Sequence, residues 1–185
     1  MKGIEPIRIY QRKWFEKIQP YLLRSNLNVG SGHGYFSQAA QEAKISIISL
    51  DVAVPHGVVN QKDLVLYDGK TIPFQDDAFE ASVAMYVLHH TPNPESLLKE
   101  MKRVSEKRVI LVEELYQTFI GKAQLAYLDF SVNFKSGLKS KIYWRSYLNH
   151  DRLLHAVEKD GWKLVHVEST ARKGFDEILW IIDKS

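Results

Sequence analysis

Between a short apolar run and a helical segment the chain reads Asn28-Val29-Gly30-Ser31-Gly32-His33-Gly34. A strand that ends in such a turn and feeds a helix restricts the fold more than any other part of the sequence. Glycines there let the backbone approach a ligand, and the helix that follows offers unpaired N–H groups. A tight turn with no ligand is the plain alternative. The strand is expected over Leu27–Gly30 and the helix over Tyr35–Ala43. Ile45–Leu50 is a β-branched run ending at Asp51, and Asp63–Tyr67 is a shorter strand stopped by Asp68-Gly69. Phe79–Val87 is apolar enough for a strand buried on both faces, Asn93 caps a helix running to Val104, and Arg108–Val112 is the next strand. Strands alternating with helices predict a parallel sheet with right-handed crossovers.

The flanks read differently. Tyr10–Leu23 places Trp14, Phe15, Ile18, Leu22 and Leu23 near one helical face, with Pro20 kinking or ending the helix. Tyr116–Tyr147 mixes aromatic and basic residues without one clean period. A helix over Asp151–Lys159 is expected to end at Gly161, and Trp162–Val167 and Ile178–Ile182 form a terminal antiparallel hairpin around Gly174. The predicted fold is α/β and Rossmann-like: a mostly parallel sheet of about seven strands, helices on both faces, and the hairpin at the C-terminus.

Composition removes several functions. Cys is absent, so thiolate zinc sites, iron–sulfur clusters, disulfides and cysteine nucleophiles are excluded. The net charge of +3 permits an anionic partner without requiring nucleic acid. Met1–Leu23 is charged throughout, and no run approaches the roughly 18 apolar residues of a membrane span. A reduced, cytoplasmic setting is expected.

Asp51 ends the second strand, about twenty residues after Gly30, where a carboxylate can accept both hydroxyls of a ribose. It could instead cap its own turn. Asp68-Gly69, at the end of the third strand, offers a carboxylate and an N–H to an adenine edge. The third glycine of the NAD pattern would fall at position 35, which is Tyr35, and the glycine comes one place earlier at Gly34. That spacing suits a nucleoside without a pyrophosphate and favours S-adenosylmethionine over NAD.

Residues 26–115 resemble class I S-adenosylmethionine-dependent methyltransferases, particularly the small-molecule branch that includes ubiquinone and menaquinone methyltransferases. The resemblance rests on LNVGSGHG, SLDV, YDGKTIPFQDDAFEASVAMYVLHHTPNPESLLKEMKRVS and RVILVEE, with WKLVHVES and EILWIIDK matching the last two strands. It implies that Gly30, Ser31, Gly32 and Gly34 line the methionine end of the cofactor. Asp51 would hold the ribose, Val52 would pack beside the adenine, Asp68 and Gly69 would bond its edge, and the Ala84 carbonyl would face the methionine ammonium. Asn28 stands where the family has an acidic residue, and Ser105-Glu106-Lys107 replaces its Pro-Gly-Gly turn. Residues 53–60 leave the next helix short or absent. One domain follows: 1–25 an N-terminal helix, 26–115 the cofactor-binding core, 116–150 a cover over the acceptor, and 151–185 the terminal helix and hairpin.

Methyl transfer requires an aligned acceptor, exclusion of water and, for a protonated acceptor, a base. His89 and His90 are the candidates for the base, His89 first, with Glu113, Glu114, Tyr86 and Tyr127 nearby in the pattern. The pair could equally fill the turn before Pro92. Tyr127, Phe130, Phe134, Lys135, Lys139, Lys141, Tyr143, Trp144, Arg145 and Tyr147 form the expected acceptor cover, or an ordinary amphipathic surface with its aromatics turned inward. His33 lies inside the turn, and His56, His150, His155 and His166 show no metal-like clustering, so no metal is expected. The expected partner is a small-molecule methyl acceptor. An RNA ribose methyltransferase is the nearest rival, and its RNA binding would weaken steeply with salt. A non-catalytic cofactor- or partner-binding domain of the same fold would bind S-adenosylmethionine weakly or without turnover. A nicotinamide oxidoreductase is disfavoured by the glycine spacing.

Overall fold

The computed structural model describes residues 4–54, 63–136 and 141–185. Helix α1 (Ile4–Ile18) leads through a short 3-10 turn to β1 (Asn26–Val29), α2 (Tyr35–Glu42), β2 (Ile47–Asp51) and β3 (Leu64–Leu66). Then come β4 (Phe79–Met85), α3 (Pro94–Val104), β5 (Ser105–Tyr116), α4 (Phe119–Ser136), α5 (His150–Val157), β6 (Trp162–Arg172) and β7 (Phe175–Lys184). The strands form one seven-stranded sheet in the order β3-β2-β1-β4-β5-β7-β6. The first five are mutually parallel, and β7 runs antiparallel to both β5 and β6. No helix among the described residues is long and apolar enough to cross a membrane.

Two-residue alternation sorts the central strands between two cores. Val109, Leu111, Ile178, Trp180 and Ile182 face Leu97, Leu98 and Met101 of α3 and Leu153 of α5. Their neighbours Ile110, Val112, Leu179 and Ile181 face Trp14, Phe15 and Ile18 of α1 and Phe36 of α2. The central strands are therefore covered on both sides, as their continuous apolar runs predict.

Two adjacent residues at the end of α3 tie down opposite flanks. All five guanidinium N–H donors of Arg103 are used: on both Glu100 carboxylate oxygens, on the Ile72 and Phe74 carbonyls, and on Asp76. Glu100 also accepts the Ile72 N–H at 2.9 Å. The loop between β3 and β4 is thus held against α3. This explains physically why the IPFQDD stretch and the KRV end of the helix occur together. Beside it, the buried Lys102 ammonium donates to the Ala156, Val157 and Lys159 carbonyls at 2.8, 2.7 and 3.1 Å. It neutralises the C-terminal end of α5, where helix carbonyls lack partners.

Several boundaries differ from the sequence expectation. α1 begins at Ile4 rather than Tyr10, and Pro20 lies in the 3-10 turn that follows it. β5 is twelve residues long and starts directly at Ser105, with no turn separating it from α3. The buried Ser105 hydroxyl makes this passage workable: it donates to the Met101 carbonyl at 2.7 Å and lies 2.8 Å from the Ser82 hydroxyl. The hairpin strands extend to Arg172 and from Phe175, with Gly174 in the left-handed region at the bend. The segment without a clean period contains the eighteen-residue α4. The expectation of a short or absent helix after Asp51 falls largely outside the described residues.

Replacing Arg103 with Ala leaves two carbonyls and two carboxylates without their donor and should cost about 2–3 kcal/mol of stability. Arg103→Lys should recover less than half of this loss, since one ammonium cannot satisfy a fork of acceptors. Urea unfolding of both variants checks the expectation.

Candidate functional site

The glycine turn leaves β1 at the point where strand order reverses, between β2 on one side and β4 on the other. Gly30, Gly32 and Gly34 all adopt left-handed backbone, with φ of 68°, 53° and 82°. The Gly30 and Ser31 N–H groups both donate to the Leu50 carbonyl, at 2.8 and 3.1 Å. That anchors the turn one residue before Asp51. The Asp51 carboxylate then accepts the Gly32 N–H at 2.8 Å and its neighbour Val52's at 2.7 Å. Burial pushes the Asp51 carboxyl up, and the N–H groups of Gly32, Val52 and Ala53 pull it part of the way back. Ser31 Oγ is buried without a hydrogen-bond partner.

Val52 is 60% exposed, and its side chain lies beside Gly69, which also has positive φ. Asp68 uses one oxygen to accept the Lys70 and Thr71 N–H groups, which keep it charged by holding its carboxyl below the usual range. The sheet register thus brings together Gly30, Ser31, Gly32, Gly34, Asp51, Val52, Asp68 and Gly69 from three strand ends. Two other predicted residues lie within the strands themselves. Asn28 is 1% exposed and donates to Ser37 Oγ of α2 at 2.9 Å, while Ser49 of β2 donates to the same oxygen at 2.8 Å. Its amide is therefore engaged with α2. Ala84 is buried in β4 opposite Val29 and Leu111.

Beyond β4 the chain turns through Leu88–His90. His89 is 2% exposed; its Nδ1 is bonded to Glu113, and its Nε2 faces Asp129 Oδ2 at 3.5 Å. Burial opposes a charge on this ring, but Glu113 and Asp129 outweigh it and hold its pKa well above the usual value. Glu113 is itself fixed, accepting the Leu88 and Glu114 N–H groups at 2.9 and 3.1 Å. The His89 ring stacks on Tyr147, whose hydroxyl donates to Asp129. His90 Nδ1 donates to the Lys141 carbonyl at 3.1 Å, and burial lowers its pKa. Burial also pushes Glu114 up to about 7. Asp129 was invisible to motif reasoning, although it is the lone acidic residue of α4 and that isolation was a usable signal.

Residues 27–112 match the methyltransferase domain family. A curated relative, an uncharacterized methyltransferase of Mycobacterium leprae, is 33% identical over 100 residues, covering 50% of this chain and 37% of its own length. The chain thus spans well under half of that relative. Among solved structures, a SAM-dependent methyltransferase from Methanosarcina mazei superposes with a TM-score of 0.66 at 19% identity, covering 90% of this chain and 96% of that one. The magnesium protoporphyrin IX methyltransferase of Synechocystis PCC 6803, solved with bound SAH, gives 0.63 at 14% identity, covering 99% and 84%. These likenesses establish the Rossmann-like fold.

Two further groups of side chains extend beyond the matched residues. Glu177 of β7 accepts the hydroxyls of Tyr10 and Tyr86 and a 3.1 Å bond from Arg172. Burial works against its charge, yet these donors hold its carboxyl below the usual range. Burial also pushes the Tyr10 hydroxyl up to about 12. Tyr86 occupies left-handed backbone at φ 56° directly after β4. The expected cover divides: Tyr147 is buried, whereas Tyr127, Phe130 and Trp144 are exposed, as are Phe119 and Ile120. Lys122 sits over the rings of Tyr116 and Trp144 at 4.8 and 5.1 Å. Lys141 and Arg145 are exposed and Tyr143 is partly buried, while the side chains of Phe134, Lys135 and Lys139 fall outside the described residues.

Gly30 and Gly32 separate two costs. A Cβ at either position is strained by the positive φ, but only at Gly30 would it collide with the Val87 side chain. Gly32→Ala should cost about 1 kcal/mol and Gly30→Ala at least about twice that, measured by denaturant unfolding.

Proposed function

We propose that this chain is an S-adenosylmethionine-dependent methyltransferase acting on a small or medium-sized acceptor. The observation that carries the reading is the convergence of the glycine turn, the Asp51 carboxylate and the exposed Val52–Gly69 surface at one crevice. The residues fit the cofactor. Ser31 Oγ is an unpartnered buried hydroxyl, Asp51 retains acceptor capacity beyond its backbone bonds, and Val52 leaves apolar surface for an adenine ring.

In this reading the backbone of Gly30, Gly32 and Gly34 holds the methionine end, with Ser31 beside it. Asp51 takes the ribose hydroxyls, Val52 the adenine face, and Asp68 and Gly69 the adenine edge. Ala84 offers its carbonyl to the ammonium, and Asn28 contributes indirectly by fixing the turn to α2. When bound, the cofactor supplies an electrophilic methyl group on a sulfonium. The acceptor would lie beyond β4 and β5, under α4 and the Trp144–Tyr147 region. Of the two histidines, His90 is the better placed to take a proton. Its Nδ1–H is committed to the Lys141 carbonyl, which leaves the other nitrogen as the acceptor of a neutral ring. His89, clasped by Glu113 and facing Asp129, is held in that cluster instead. The ubiquinone- and menaquinone-methyltransferase likeness supports the acceptor size.

Calorimetric titration with S-adenosylmethionine and S-adenosylhomocysteine tests this reading. Low-micromolar binding is expected, weakened at least about tenfold, or 1.4 kcal/mol, by Asp51→Ala. Absence of binding at millimolar ligand would overturn it in favour of a non-catalytic domain of the same fold.

A further inference from the structure

The cluster at the end of β4 holds a contact that hydrogen bonding leaves unresolved. His89 Nε2 is buried, faces the Asp129 carboxylate at 3.5 Å, and makes no hydrogen bond. With Nδ1–H donated to Glu113, a neutral His89 would point its remaining lone pair at an anion. Something positive must lie between them, either a second proton or a cation. The surroundings favour more than a proton. One ring nitrogen of His89, one of His90 and one carboxylate oxygen of Asp129 lie within 4.8 Å of one another.

We infer that His89, His90 and Asp129 form a binding site for a divalent transition-metal cation of the zinc class. Two imidazoles and a carboxylate, with room for a fourth ligand, are the donor set that such ions accept in open sites. Ligand bonds of about 2.0–2.2 Å put neighbouring donors about 3.3–3.6 Å apart in a tetrahedral site. The His89–Asp129 pair already meets this spacing, and the remaining separations, all within 4.8 Å, would have to close by up to about 1.5 Å. The orienting shell is also present. Glu113 fixes the His89 ring through Nδ1 and is held by the Leu88 and Glu114 N–H groups, while Tyr147 donates to Asp129. A carboxylate on the far nitrogen of a ligating histidine sets its tautomer and raises its basicity. Access would come from the side of Asp129 and His90, both only partly buried.

This inference stands on the cluster alone and does not require the methyltransferase reading. If both hold, a cation and a proton compete for these nitrogens. Acceptor deprotonation would then pass from His90 to the cation, whose open position could take the acceptor's oxygen or nitrogen.

The test is titration of chelator-treated full-length protein with zinc chloride by calorimetry, and with cobalt(II) chloride by visible absorbance. One ion per chain at micromolar affinity or tighter is expected, with the intense ligand-field bands of a low-symmetry cobalt site. Asp129→Asn, which keeps an acceptor for Tyr147, and His90→Gln should each weaken binding at least about tenfold. His155→Gln, on the exposed face of α5, should leave binding unchanged. Circular dichroism confirms that each variant is folded. No saturable binding, or equal binding by Asp129→Asn and the parent, would overturn the site and identify the bridging charge as a proton on His89. S-adenosylmethionine titration of the metal-free protein reports separately on the cofactor crevice, so either reading can fail alone.

Discussion

The register between β1 and β2 underlies everything at the proposed cofactor site. Val29 stands opposite Leu50, so the last residue of β1 ends beside the carbonyl that receives both the Gly30 and Ser31 N–H groups. The next residue along β2 is Asp51, which therefore meets Gly32. A slip of one residue would exchange Leu50 with Asp51, placing a carboxylate in the apolar core and a leucine at the turn. β1 resists such a slip because all four of its residues are buried and it pairs on both sides. Strand order also reverses there, which opens a crevice at the carboxyl ends of β1 and β4. The chemistry of the site is thus a consequence of sheet pairing.

Local signals made this half of the molecule legible. Glycines that require positive φ, a β-branched run closed by Asp51, and Asn93 followed by Pro94 each record a conformation confined to a few residues. The strand–turn–helix order was accordingly readable, and so were the residues at its ends. Strand lengths were less so, because Ser105, Glu106 and Lys107 are polar and look like a connection. In the fold, Ser105 satisfies its hydroxyl on the Met101 carbonyl of α3, and Glu106 and Lys107 are exposed at the start of β5.

α4 marks where sequence reasoning fails, and the reason is physical. Helix prediction assumes that apolar residues face the core, yet Phe119, Ile120, Tyr127 and Phe130 are exposed while the one carboxylate turns inward. The inward side carries Asp129 as well as the buried Leu125, because part of it borders His89, forty residues earlier in the chain. No periodicity within α4 could report a partner supplied by another element. For the same reason Asp129 escaped a search for metal-like spacing, which looks only along the chain.

Lys102 and Arg103 are neighbours in sequence but serve opposite flanks, one gripping the end of α5 and the other the loop after β3. Successive residues of a helix project about 100° apart, so the two side chains can address both targets only at one rotational setting of α3. Its start is equally fixed, by the Asn93 side chain that accepts the Ser96 N–H. Adding or deleting one residue between these points would swing both cations away from their carbonyls at once. The exposed side of this helix is free to vary in composition, but its length is not.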